Sequence, residues 1–202
     1  CIGNSGERFL PRLTEAARGL RVGPTDRDPE AQMGPVISPQ HRERVTRAIA
    51  EAVAEGAELL LDGRDVHVPQ APDGFYVGPT ILGGVTPQMK AAQPEIFGPV
   101  LSVMRVPDLD TVLGHIDALG FGNAGAIFTT SGVHARQFRH RVNVGMVGIN
   151  IGVPAPMAFF PFSGWNRSFY GDLHVQGREC VSFFTRQKVT ISRWVESGRA
   201  FF

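Results

Sequence analysis

Leu10, Leu13, Ala17 and Leu20 repeat at helical spacing, and the stripe they draw predicts a first helix from about Glu7 to Arg18, with Gly19 as its stop. Ser38-Pro39 supplies an N-cap and a proline at the first helical position, and Val45, Ile49 and Val53 then recur at every fourth residue until Gly56, which predicts a second helix. A third helix is predicted after Asp108, with Leu109, Val112, Leu113, Ile116 and Leu119 on one face and Gly120 at its end. A fourth covers Val133 to Arg141. Between these lie shorter apolar runs that read as strands: Glu58 to Gly63, Pro79 to Val85, Val100 to Val106, Ala126 to Thr129 and Met146 to Asn150. The breaker-rich stretches from Gly23 to Pro35 and from Pro69 to Gly74 read as surface loops.

From Val100 onward strand and helix alternate, which predicts an α/β fold with a largely parallel sheet, flanking helices and right-handed crossovers. Such sheets place chemistry at the carboxyl ends of strands, where Asn150 and the segment after it fall. Residues 151 to 171 are dense in Pro, Phe and Gly, too long for a simple connector and too apolar for a disordered linker, so they are a candidate pocket wall. Val181 to Thr185, continuing through Trp194, alternates imperfectly and is β-prone, a tail expected to leave the main sheet and pair elsewhere.

Composition narrows the function classes. With 202 residues, 43% hydrophobic and 19% charged, the chain can bury one sizeable core and reads as one domain with a tail. Twenty Lys and Arg against 19 Asp and Glu leave a net charge of +1, and no long basic run is present, which argues against nucleic acid as partner. No apolar stretch approaches the ~20 residues that cross a bilayer. Two cysteines, Cys1 and Cys180, form neither a disulfide framework nor a metal-ligand spacing, and the expected compartment is cytoplasmic. Six histidines without an H-E-x-x-H arrangement make a metal site unexpected.

The candidate chemistry sits in Glu95-Ile96-Phe97-Gly98-Pro99-Val100. A carboxylate and an aromatic ring two residues apart, just before a buried strand, can meet at a crevice edge, where the acid accepts hydrogen bonds from sugar hydroxyls and the ring packs on a flat heterocycle. A surface Glu beside a core Phe is the competing reading of the same residues. Gly120-Phe121-Gly122-Asn123-Ala124-Gly125 matches G-x-G-x-x-G letter for letter, but the order here is helix, glycines, strand, whereas phosphate binding needs a helix N-terminus after the glycines. It reads as a helix-ending turn. Cys180 reads as a packed small side chain and Cys1 as a terminal residue with poor anchorage. Phe159, Phe160, Phe162, Trp165 and Phe169 are core or interface filler on composition alone, and their place after a strand end points toward a pocket lining. Arg167, Arg178, Arg186 and Lys188 read as a solvated or interface face.

Gln93 to Val100, Ala126-Ile127-Phe128-Thr129-Thr130 and Gly145 to Asn150, in that order and spacing, resemble the C-terminal catalytic domain of aldehyde dehydrogenases. Gly152 to Trp165 is similar to the CoA-acylating malonate or methylmalonate semialdehyde dehydrogenase branch, and Phe184 to Thr190 to the family's last strand. The resemblance covers essentially the whole chain. It implies that Glu95 holds the nicotinamide ribose hydroxyls of NAD, that Phe97 contacts the nicotinamide region and that Phe162 lines the aldehyde channel. Pro94 stands where many members carry an acidic residue, a departure expected to alter the strand's approach rather than the ribose contact.

The resemblance also implies that residues 1–180 are part of a catalytic domain whose nucleophilic Cys and NAD-binding domain lie upstream of Cys1, and that 181–202 form an oligomerisation strand and tail joining a neighbouring subunit. In the family mechanism that Cys attacks the semialdehyde, a hydride passes to NAD, and coenzyme A releases the acyl thioester with loss of carbon dioxide, giving acetyl-CoA or propionyl-CoA. The isolated segment is expected to be inactive. Two other readings stay open: a non-catalytic assembly or regulatory domain of the same fold, and a hydrolytic aldehyde dehydrogenase of another substrate class.

Overall fold

A computed structural model of the chain describes residues 1–93 and 95–194; the expectation at Pro94 and the end of the tail lie outside the described residues. The chain divides into two compact units, Cys1–Leu119 and Gly120–Phe202.

The first unit is built around two helices and a three-stranded sheet. Helix α1 spans Ser5–Arg18, with Leu10 buried and Gly19 at its C-cap. Helix α2 spans Pro39–Ala54, and the Ser38 side chain caps it by accepting from the His41 amide at 3.1 Å, as the Ser-Pro pair predicts. Gly56, at φ +103°, carries the chain out of α2. Strands β1 (Glu58–Leu61), β2 (Thr80–Gly83) and β3 (Val100–Ser102) follow, ordered β1-β2-β3. The expectation of a largely parallel sheet meets a mixed one here: β2 and β3 pair in parallel, whereas β1 and β2 are antiparallel. Residues 62 to 79 bring the chain back as an irregular loop, and β1 lies at the sheet's edge, where an antiparallel strand commonly joins a parallel pair.

Strand β2 is buried throughout, and Val45, Ile49, Ala52, Ala57, Val77, Leu82 and Val85 form the core between α2 and the sheet. Its one buried polar residue, Thr80, is satisfied because its hydroxyl accepts from the Gly63 amide at 3.0 Å. Cys1 is anchored rather than loose: its amine donates to the Met104 carbonyl at 2.7 Å and its carbonyl accepts from Val106 at 3.0 Å. Helix α3 (Leu109–Leu119) closes the unit, begun by Asp108, whose carboxylate accepts from the Thr111 amide at 2.8 Å.

The second unit opens at Gly120, φ +68°, and its glycine-rich stretch leads into strands β4 (Phe121–Gly122) and β5 (Ala124–Ile127) with no helix after it, the geometry of a helix-ending turn. Helix α4 spans Gly132–Arg141 and strand β6 Met146–Ile149, which pairs in parallel with β5. Phe138, Val142, Val144 and Met146 are buried there. Strand β7 (Trp165–Asn166) pairs with β4, and the guanidinium of Arg167, an exposed residue, lies over the Phe121 ring at 4.7 Å.

The β-prone start of the tail is corrected: Glu179–Phe184 forms helix α5. No strand of the chain pairs with this segment among the described residues, so helical bonds satisfy its backbone instead. Glu179, in its first turn, accepts from the His174 amide at 2.8 Å and pairs with Nδ1 at the edge of the His174 ring, which stacks face-on with Phe169.

Candidate functional site

The segment carrying Glu95 and Phe97 lies wholly in the first unit and is laid along α2. Lys90 starts the contact: its amide donates to the Glu55 carboxylate at 2.8 Å and its ammonium group to Glu51 at 3.0 Å, and Glu51 raises its pKa above the ordinary lysine value. The Arg44 guanidinium donates to the Ile96 carbonyl at 3.0 Å. His41 Nε2 donates to the Phe97 carbonyl at 2.7 Å. Gly98 completes the docking, because a Cβ built on it would stand 2.7 Å from a methyl of Val45. Side chains spaced along one helix therefore hold three consecutive residues of the loop.

Two further details fix the local conformation. A carbonyl oxygen only accepts and a guanidinium only donates, so His41, which bonds Phe97 through Nε2 and receives Arg44 at Nδ1 at 3.2 Å, carries its hydrogen on Nε2. Phe97 itself sits at φ +56°, in the left-handed region, which costs a residue with a side chain roughly 1–2 kcal/mol. The surrounding bonds offset that cost, and non-glycine residues held in this way cluster at functional sites.

Glu95 and Phe97 come together as expected. Both are exposed, Phe97 by 71%, so the core placement of Phe97 that competed with a site is excluded. They line an open cleft of about 490 Å³ together with Ala91, Ile96, Gly98, Val100 and Ser102. Ser102 fixes its floor by donating to the Ala91 carbonyl at 2.9 Å. The donor set fits a nucleotide's sugar and base: a carboxylate accepts hydroxyl hydrogens, and an exposed ring offers a flat apolar face.

Phe162 belongs to the second unit, in the irregular stretch between β6 and β7, and is 46% exposed. Phe159 and Phe160 beside it are exposed and pack ring on ring at 4.7 Å between centroids. Asn150, at the end of β6, has φ +57° and uses its side-chain amide like a backbone unit, accepting from the Thr129 amide at 2.9 Å and donating to its carbonyl at 3.1 Å. Cys1 and Cys180 are free thiols, each half-buried. His41 and Arg44 escaped the sequence reading, since their partners lie 56 and 52 residues away; the spacing of i and i+3 on one helix face was the only local sign that the two act together.

A profile described as the aldehyde dehydrogenase family matches residues 4–190. Malonate-semialdehyde dehydrogenase 1 of Geobacillus kaustophilus is 48% identical over 193 residues, covering 96% of this chain and 39% of that protein. The crystal structure of methylmalonate-semialdehyde dehydrogenase from Oceanimonas doudoroffii superposes with a TM-score of 0.91 at 43% identity, over 98% of this chain and 40% of that one. Mycobacterium tuberculosis aldehyde dehydrogenase complexed with NAD+ superposes with a TM-score of 0.80 at 32% identity, over 96% and 40% of the two chains. The chain thus spans about two fifths of the length of the relatives it matches.

Proposed function

Because the chain belongs to the aldehyde dehydrogenase family, we propose that it is the segment of an NAD-dependent, CoA-acylating oxidoreductase that follows the nucleophilic cysteine, in an enzyme converting malonate or methylmalonate semialdehyde to acetyl-CoA or propionyl-CoA. The observation that carries this reading is the exposed Glu95–Phe97 pair on a loop fixed to α2, in a chain 48% identical to a malonate-semialdehyde dehydrogenase. Glu95 holds the two ribose hydroxyls and Phe97 bounds the nicotinamide. Bound NAD supplies the acceptor for the aldehyde's hydride. Phe162 and the residues around it shape the passage for the aldehyde and keep water from it. The attacking thiol comes from residues upstream of Cys1, coenzyme A takes the acyl group, and the cytoplasm is the compartment.

The test is steady-state oxidation of both semialdehydes by the enzyme carrying this segment, with and without coenzyme A. Thioester formed only with coenzyme A supports the reading, and free acid formed equally well without it overturns the CoA-acylating assignment. Replacing Glu95 with Gln removes the charge from hydrogen bonds of about 1.5–3 kcal/mol, so E95Q should raise the KM for NAD roughly tenfold to a hundredfold. An unchanged KM for NAD would remove Glu95 from the coenzyme site.

A further inference from the structure

Phe97 presents an exposed ring from a backbone in an unfavourable region, which its surroundings must stabilise. What does so comes from α2. Arg44 binds the carbonyl before it and His41 the carbonyl of Phe97 itself, so that the peptide planes on both sides of the Phe97 Cα are fixed. Arg44 also donates to His41 Nδ1, which directs the Nε2 hydrogen toward the loop, and the His41 ring meets the Phe97 ring edge-on at 6.3 Å. One helix face therefore sets both the turn and the placing of the ring.

We propose that His41 and Arg44 are positioning residues for the coenzyme: by holding the Ile96 and Phe97 carbonyls they keep Phe97 left-handed and so present Glu95 and Phe97 together to the nicotinamide riboside. This rests on the function proposed above. Without the two bonds Phe97 relaxes toward extended backbone and its ring leaves the cleft, while the docking of Gly98 on Val45 and of Lys90 on Glu51 and Glu55 retains the rest of the segment.

The test uses the enzyme that carries this segment, as H41A, R44A, the double variant, H41Q and, as a control on the same helix, R42A. Two quantities are read: chymotryptic cleavage after Phe97 relative to cleavage after the exposed Phe128, and KM for NAD against KM for the aldehyde. The neutral hydrogen bond lost in H41A should speed cleavage after Phe97 and raise the NAD KM by about fivefold, the guanidinium bonds lost in R44A should raise it by roughly tenfold, and the double variant by more, with the aldehyde KM kept within about twofold. H41Q, whose amide nitrogen reaches about as far as Nε2, should restore both quantities, and R42A should change neither. Unchanged cleavage after Phe97 in the double variant overturns the proposal. So does faster cleavage with an unchanged NAD KM, or a KM rise that is equal for both substrates. An enzyme that does not use NAD would defeat the function proposed above, and the cleavage ratio would still show whether the two side chains hold the turn.

Discussion

The loop of Glu95 to Pro99 is met by side chains of α2, beside one backbone bond from the Thr80 amide to the Pro99 carbonyl at 2.8 Å, whereas the stretch from Ile151 to Gly164 runs close against the glycines at 145, 148 and 177. In the first, His41, Arg44 and Val45 of α2 each meet one residue of the loop. In the second, Gly145 lies against the backbone of Ser163 and Gly164, where a Cβ would stand 2.6 Å from the Ser163 carbonyl carbon. Both expose aromatic rings, yet only the first contains a non-glycine residue at positive φ, for none of those residues lies between 151 and 164. A single ring whose backbone is fixed in an unfavourable conformation is suited to one defined contact. Several rings on an ordinary backbone are suited to forming a wall, which agrees with the different roles proposed for Phe97 and Phe162.

The contrast is broken most severely at Gly145. Neither Gly145 nor Gly98 has a positive φ, so alanine is acceptable to the backbone at both places and the cost comes from what the new Cβ meets. Backbone atoms cannot swing aside, so G145A should lower stability by about 3 kcal/mol, the upper part of the range for overpacking. At Gly98 the obstacle is a valine side chain, and G98A should cost about 1–2 kcal/mol. Urea unfolding of G98A, V45A and the double variant separates contact from general damage. If Val45 is the obstacle, the double variant should be more stable than the two single losses added together, by about 1 kcal/mol. Strict additivity would mean that the loop does not rest on α2 at this point.

The elements legible in the sequence are those whose signals are local. Ser38-Pro39 begins α2 and Gly120 ends α3 because a cap and a left-handed exit need only neighbouring residues. Strand extents were less legible: the apolar run from Val100 to Val106 predicts a longer strand than β3, which stops at Ser102, since a strand lasts only as long as its partner, and β2 offers Thr80 to Leu82. The same dependence on a partner turned the β-prone start of the tail into α5. At the site, Glu95 and Phe97 could be found because they stand two residues apart in a recognisable stretch. His41 and Arg44 could not, because their hydrogen bonds join residues more than fifty apart and go to backbone carbonyls, which carry no side-chain identity for a pattern to reveal. The boundary at Leu119–Gly120 was equally hidden, since a helix-ending glycine looks the same within a unit and between two.

The smallest effect expected comes from titration, and it touches the two regions at opposite ends of the pH scale. Beside the first loop, Lys90 has its pKa raised by Glu51; a group raised in the folded state contributes stability that is present below the unfolded value and is lost as pH rises through the folded one. In the second unit, Glu179 has its pKa lowered, first by the hydrogen bond from the His174 amide and then by the His174 side chain, so its contribution is present above the unfolded value and is lost as pH falls through the folded one. Melting temperature measured against pH should therefore show an alkaline limb that flattens in K90Q and an acid limb that flattens in E179Q, each variant leaving the other limb as it was. Gln at 179 can still accept from the His174 amide, so the difference in that limb isolates the charge. Both groups are solvent-exposed, and added salt should shrink both effects together. An acid limb identical in E179Q and the unaltered protein would show that α5 is held by its backbone and by the Phe169–His174 stack alone.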